Sequence, residues 1–224
     1  METRDRTQST TRTTSSRIPS SRSATGLLLF LATLLVGTGC LSSNSYLDPS
    51  FKGASYADLS APASPHAVSL QTEFLRNGER LPQVDGEVRA HVNRVLNASR
   101  IVTISGRGDV SIRVAVNNLA DMDAATSSGF KTGLTLGAAG SVVSDFYEIE
   151  IELVDANGRT HSKSYKHAIH TTIGNASPPE GAGVPMSPAN AFSGVVEQAV
   201  LNFLRDMQAE GKLSLSIRLR RPIG

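Results

Sequence analysis

The only thiol in the chain is Cys40. A thiolate is a nucleophile and a metal ligand, but one cysteine cannot form an internal disulfide, and a free exposed thiol suits an oxidising compartment poorly. The other groups that commonly do chemistry are five histidines, His66, His91, His161, His167 and His170. A zinc site needs convergent ligands. On one strand His161 and His167 share a face while His170 points the other way, so neither spacing nor parity supports a metal, and no cofactor is expected. Glu148, Glu150 and Glu152 alternate with Tyr147, Ile149, Ile151 and Leu153. Carboxylates two apart on a flat strand converge poorly on calcium, and the row reads as a solvated sheet face. Arg107, Gly108 and Asp109 spell an integrin-type tripeptide, but two glycines between two strands are explained by a turn. The sequence has no GxSxG, HExxH or phosphate-loop motif. Ser and Asp are plentiful without naming a triad, so no catalytic residue is expected and the chain is read as non-enzymatic.

Cys40 takes its meaning from what precedes it. Residues 1–23 are rich in Ser, Thr and Arg; residues 24–40 carry no charge, and residues 27–36 read LLLFLATLLV. That apolar core is shorter than the roughly 20 residues a bilayer span requires. A basic region, a short apolar core and then small residues is the layout of a secretory signal. The segment, closing on Gly37, Thr38, Gly39 and Cys40, resembles the signal of bacterial lipoproteins, although Gly37 stands where that family usually has Leu. The resemblance implies removal of residues 1–39, lipid on Cys40 and a multiply acylated anchor, palmitate among its acyl chains. Acylation would also remove the free thiol. Leu41, where the family's inner-membrane members carry Asp, implies the outer membrane and a periplasm-facing domain. The other reading is an uncleaved single-pass anchor in the inner membrane.

Behind Cys40, residues 41–65 are dominated by Ser, Ala and Pro without a period, which reads as part of a lipidated tether over residues 40–65. A single α+β domain is expected over residues 66–220. Alternation over residues 66–76 predicts a strand stopped by Asn77 and Gly78. Pro82 opens a helix over residues 82–98 whose apolar positions Val84, Val88, Val92, Val95 and Leu96 recur every three to four residues. Residues 101–105 and 109–117 read as two strands of a hairpin. Residues 119–143 read as a Gly-rich loop, uncharged after Lys131, with Phe130, Leu134 and Leu136 as candidate partner contacts; long irregular loops are often functional.

The Glu row then turns at Asp155, Ala156, Asn157 and Gly158, and a basic strand returns over residues 159–172, with Arg159, Lys163 and Lys166 expected near the Glu row. Ser187 and Pro188 cap a second helix with a wide apolar stripe that Gly211 ends. The tail alternates again and carries Lys212, Arg218, Arg220 and Arg221, reading as an edge strand or a basic extension. The fold class is α+β: a mainly antiparallel sheet with two amphipathic helices packed on one face.

The 224 residues are 39% hydrophobic, 19% charged and 5% aromatic, without Trp. This mix excludes a polytopic membrane protein, a collagen-like fibre and a disulfide scaffold. Five of the 22 basic residues and two of the 20 acidic ones precede Cys40, so the formal net charge of +2 falls to about −1 in a chain starting there. Nucleic acid is therefore not an expected partner. The element order loosely resembles small accessory lipoproteins of outer-membrane transport and assembly. That resemblance implies a non-catalytic envelope lipoprotein acting as a binding or assembly factor, held to the membrane through Cys40 and meeting an envelope protein. Two other functions fit the sequence: a periplasm-facing enzyme on envelope polymers, and a carrier of lipid or another apolar ligand.

Overall fold

The structure is a computed structural model that describes residues 43–51, 53–106, 110–120 and 140–213. All of these belong to the unit Leu41–Gly224, distinct from Met1–Cys40. Cys40, the tripeptide 107–109, Phe130, Leu134, Leu136 and the tail beyond Leu213 lie outside the described residues.

The described residues form seven strands and two α-helices. The strands are β1 (Ser43–Leu47), β2 (His66–Arg76), β3 (Glu79–Arg80), β4 (Val102–Ile104), β5 (Val110–Ala120), β6 (Ser141–Val154) and β7 (Thr160–Ile173). The helices are α1 (Asp85–Ser99) and α2 (Pro188–Ala209). The sheet order is β1-β7-β6-β5-β2-β3, with β4 paired to β2. The β2–β5 and β2–β4 pairs are parallel and the others antiparallel. The expected α+β class is the one observed.

Both helices cover one face. Val68, Leu70 and Phe74 of β2, Ile112, Val114 and Val116 of β5, and Tyr147, Ile149, Ile151 and Leu153 of β6 are buried there. They meet Val88, Val92, Val95 and Leu96 of α1 and Phe192, Val195, Val196, Phe203 and Leu204 of α2. Strand alternation puts every second residue on this face, and the helical stripes recur at three and four. The side chains at the helix–sheet interface are closed to solvent. The start of α2 is as the sequence predicts: Ser187 Oγ accepts the Asn190 N–H at 3.2 Å, with Pro188 in the first turn. The first helix begins as a 3-10 turn, Pro82–Val84, before α1 proper.

Four expectations are corrected. The segment read as a tether enters the sheet: β1 runs antiparallel to β7 from Ser43↔Ile173 to Leu47↔Ile169, Ser45 exchanges backbone hydrogen bonds with Met186 at 2.9 and 3.0 Å, and Ala54 joins the core. A short polar strand shows no period because pairing, not burial of one face, holds it. The strands after α1 do not form a hairpin; both β4 and β5 pair with β2, since a crossover through α1 delivers a parallel strand. Residues 119, 120 and 141–143, assigned to the Gly-rich loop, belong to β5 and β6. Finally, Lys163 faces away from the Glu row. It pairs with Ile151 in register and reaches Glu210, just past α2, at 2.7 Å.

Candidate functional site: the open face of the sheet

The face opposite the helices divides along the strands into two zones. At the end where β6 finishes and β7 begins, it is charged. Glu148 lies opposite Lys166, and Glu150 opposite Ser164. Ser164 and Ser162 hydroxyls donate to Glu148 and Glu150 at 3.3 and 3.2 Å. Arg113 of β5 lies opposite Glu152, bonds it at 3.3 Å and also bonds Glu73 of β2. The Glu row is therefore neutralised mainly from β5 and by hydroxyls, with Lys166 the one expected cation directly opposite. Arg159 sits in the turn, where its backbone N–H donates to Asp155 Oδ1 at 3.0 Å. This bond, with the Asn157 N–H and His161, outweighs the opposing effect of burial and holds the Asp155 carboxyl below the usual range.

The other zone lies where β1 and β6 begin and β5 and β7 end. Leu119 of β5 lies directly opposite Phe146 of β6, and Val142 follows on the same face of β6. These three are 40%, 44% and 40% exposed, high for large apolar side chains on adjacent strands.

Between Val142 and Phe146 sits a hydrogen-bonded chain of three polar residues. Ser144 of β6 lies opposite His170 of β7, and its Oγ is 2.8 Å from His170 Nδ1. His170 Nε2 is 3.1 Å from Asp48 Oδ2. Asp48 follows β1, where its Oδ1 accepts the Ser50 N–H at 2.8 Å in a local turn. Nε2 then donates to the carboxylate, and Nδ1 accepts the serine O–H. Burial pushes the Asp48 carboxyl up, but the Ser50 and His170 hydrogen bonds outweigh it and hold the group below the usual range. The groups are those of a serine–histidine–aspartate relay. Ser144, however, lies in regular ladder register and not on the strained strand-to-helix turn that exposes a nucleophile beside free N–H donors. What the chain does mechanically is clear: it fastens the end of β1 across β7 to β6.

The remaining histidines are dispersed. His167 accepts the Ala168 N–H on Nδ1 at 2.8 Å, bonds Gln198 through Nε2 at 2.7 Å and stacks on Phe51 at 5.2 Å between centroids. A shallow cleft of about 270 Å³ beside it is lined by Phe51, Tyr165, His167 and Gln198. His161 lies 3.4 Å from Asp155, His91 packs edge-on to Phe192, and His66 starts β2. Among the described residues no group of three potential ligands is placed to hold a metal.

Sequence reasoning missed Asp48, Ser144 and the exposed trio. Asp48 and His170 are 122 residues apart. The only local signal was the Asp-Pro-Ser turn at residues 48–50. Leu119 and Val142 were hidden in a segment read as loop, and Phe146 stands just before the alternation from Tyr147 that marks the strand.

No family model matches the sequence, and no curated protein matches it. Among solved structures, the chain is similar to the PelC dodecamer from Paraburkholderia phytofirmans, with 14% identity over 75% of this chain and 98% of that one and a TM-score of 0.35. A Xanthomonas campestris protein of the DUF330 family is 14% identical over 69% of this chain and 94% of that one, also with a TM-score of 0.35. A minor lipoprotein from Acinetobacter baumannii is 11% identical over 68% of this chain and 93% of that one, with a TM-score of 0.32.

Proposed function

We propose that this chain is a non-catalytic lipoprotein of the cell envelope, attached by acyl chains on Cys40 to the outer membrane and facing the periplasm, where it serves as a binding or assembly factor. The observation that carries this reading is the basic region followed by a short uncharged apolar core that closes on the one cysteine of the chain. Support also comes from a described unit whose helix–sheet core is closed to solvent and whose open face carries exposed apolar groups. Among the described residues no helix is long and apolar enough to cross a membrane. The envelope protein it meets has two surfaces available on this reading. One is the open face; the other is the edge of β7 before His167, beyond the pairing with β1 and the Asp48 N–H bond to Ala168, which can recruit a strand by backbone pairing.

The test is Cys40→Ser expressed in a host that processes lipoproteins. The native chain should lose residues 1–39, gain acyl mass and sediment with membranes, whereas the variant should be released. An unmodified native mass with the leader retained overturns the reading. Crosslinking in whole cells then identifies the neighbour.

A second reading rests on the Ser144–His170–Asp48 chain. In an envelope hydrolase Ser144 would be the nucleophile, His170 its base and Asp48 the group that orients the imidazole.

A further inference from the structure

We propose that the end of the sheet where β1 begins lies against the bilayer, with Leu119, Val142 and Phe146 in contact with lipid. The inference rests on Cys40 as the acylated residue and specifies how the domain then sits.

Its first support is the distance available to the chain. β1 begins at Ser43, three residues after Cys40. Three residues reach at most about 10 Å when fully extended. A domain whose edge strand is paired this close to its acyl chains cannot stand off on a long tether. Which end of the sheet is held down follows from register. Ser43 pairs with Ile173, and Ile173 with Ser141. Val142 is the next residue along β6, two strands from β1, or about 10 Å sideways at the usual strand spacing.

The second support is the distribution of side chains on the open face. Of the exposed apolar trio, Val142 lies one residue from the level of Ser43, and Phe146 and Leu119 lie level with Ala168, just past the end of β1. Farther along the same face come Glu148, Glu150 and Glu152 with Arg113 and Lys166, which belong in water. An interfacial element buries its apolar groups about 5–10 Å into the headgroup–acyl boundary and keeps its charges outside. The open face inclined to the surface, with the patch from Val142 to Phe146 and Leu119 turned down and the Glu row lifted away, satisfies both requirements. The same apolar trio presented to an aqueous periplasm would leave adjacent large side chains uncovered.

The third support is the lock on β1. Asp48, His170 and Ser144 fasten the strand's exit, and Ser45 Oγ meets Thr171 Oγ1 at 2.8 Å within it. The strand that begins three residues after Cys40 is thereby held in the sheet at its far end as well.

The chain has no Trp, so one introduced Trp reports its own depth. Phe146→Trp and Leu119→Trp place the reporter in the apolar zone. Asn157→Trp places it in the β6–β7 turn at the opposite end. Each full-length variant is produced with its lipid and reconstituted in phosphatidylethanolamine–phosphatidylglycerol vesicles containing phosphatidylcholine brominated along the acyl chains. Flotation and intact mass are measured alongside emission. The expected result is co-flotation of all three, with roughly two-fold or greater quenching of Phe146→Trp and Leu119→Trp and little change in Asn157→Trp, as a 5–10 Å insertion requires. Co-flotation without quenching in the apolar zone overturns the proposal and leaves the patch to a protein partner. Equal quenching at all three sites overturns the orientation. Absence of both acyl mass and flotation overturns the Cys40 reading, and this inference with it.

Discussion

Removing the Asp48 carboxylate tests the lock that turns residues 43–48 from a tether into part of the sheet. In the native chain Asp48 accepts hydrogen bonds from Ser50, whose N–H lies at 2.8 Å and whose side chain also contributes, and from His170 Nε2 at 3.1 Å. Ser50 is exposed, so water replaces the first partner, and the cost falls on the second. A hydrogen bond to a charged group contributes about 1.5–3 kcal/mol. Partial solvent access at both side chains (16% and 17% exposed) lowers this, giving about 1–2 kcal/mol for Asp48→Ala. Asp48→Asn should cost about 1 kcal/mol or less. The imidazole can reverse its tautomer, accept the new amide N–H on Nε2 and donate from Nδ1 to Ser144 Oγ. The pH dependence has a definite sign. The Asp48 pKa is lowered on folding, so its contribution is complete above the unfolded value of about 3.9 and disappears as pH falls through the folded value. Urea unfolding followed by far-UV circular dichroism should therefore show the gap between native and Asp48→Asn closing as pH is lowered from about 7 towards 3. A gap of equal size across that range would show that the charge does not hold β1. Additive losses in the Asp48→Ala, His170→Ala double variant would show that the two residues do not interact.

Three glycine substitutions should rank in an order set by local space. At Gly140, with φ +66°, an added Cβ lies 2.2 Å from Ala176 N and 2.8 Å from its Cα; Gly140→Ala should cost about 3 kcal/mol or more, because backbone must move. Gly158 has φ +77° and open space around it, so Gly158→Ala should cost only about 1–2 kcal/mol. Gly86, in α1 with nothing nearby, should give a gain of about 0.5–1 kcal/mol on substitution by Ala. Chemical denaturation measures all three, and a Gly140→Ala protein as stable as Gly158→Ala would refute the close approach of β6 to residues 175 and 176. Fluorophosphonate treatment should leave Ser144 unmodified, as a serine in ladder register lacks an exposed nucleophile turn. Stoichiometric labelling lost in Ser144→Ala would move the function to the hydrolase reading.

Much of this protein was legible from residue order because periodicity reports which side chains share a face. The spacing of Val88, Val92, Val95 and Leu96 marks one helix, and the Ser187–Pro188 start followed by a wide stripe marks the other. The strict alternation from Tyr147 to Leu153 marks the longest antiparallel pair, and amphipathic elements of both kinds imply a single α+β layer. Each of these signals is local.

Pairing is not local, and it is where tertiary structure decided the outcome. Nothing in Ser43–Leu47 marks a strand, because its burial comes from β7 on one side and Met186 on the other. Parity along β7 puts Lys163 on the helix side, but only the β6–β7 register, counted back from the turn, shows which residues of β7 oppose the Glu row. Arg113 reaches Glu152 and Glu73 because β5 lies between their strands, an order that depends on the crossover through α1. Asp48, Ser144 and His170 come from three strand regions that share no sequence signal. A hydrogen bond needs atoms brought within about 3 Å, and only the folded sheet brings those atoms together.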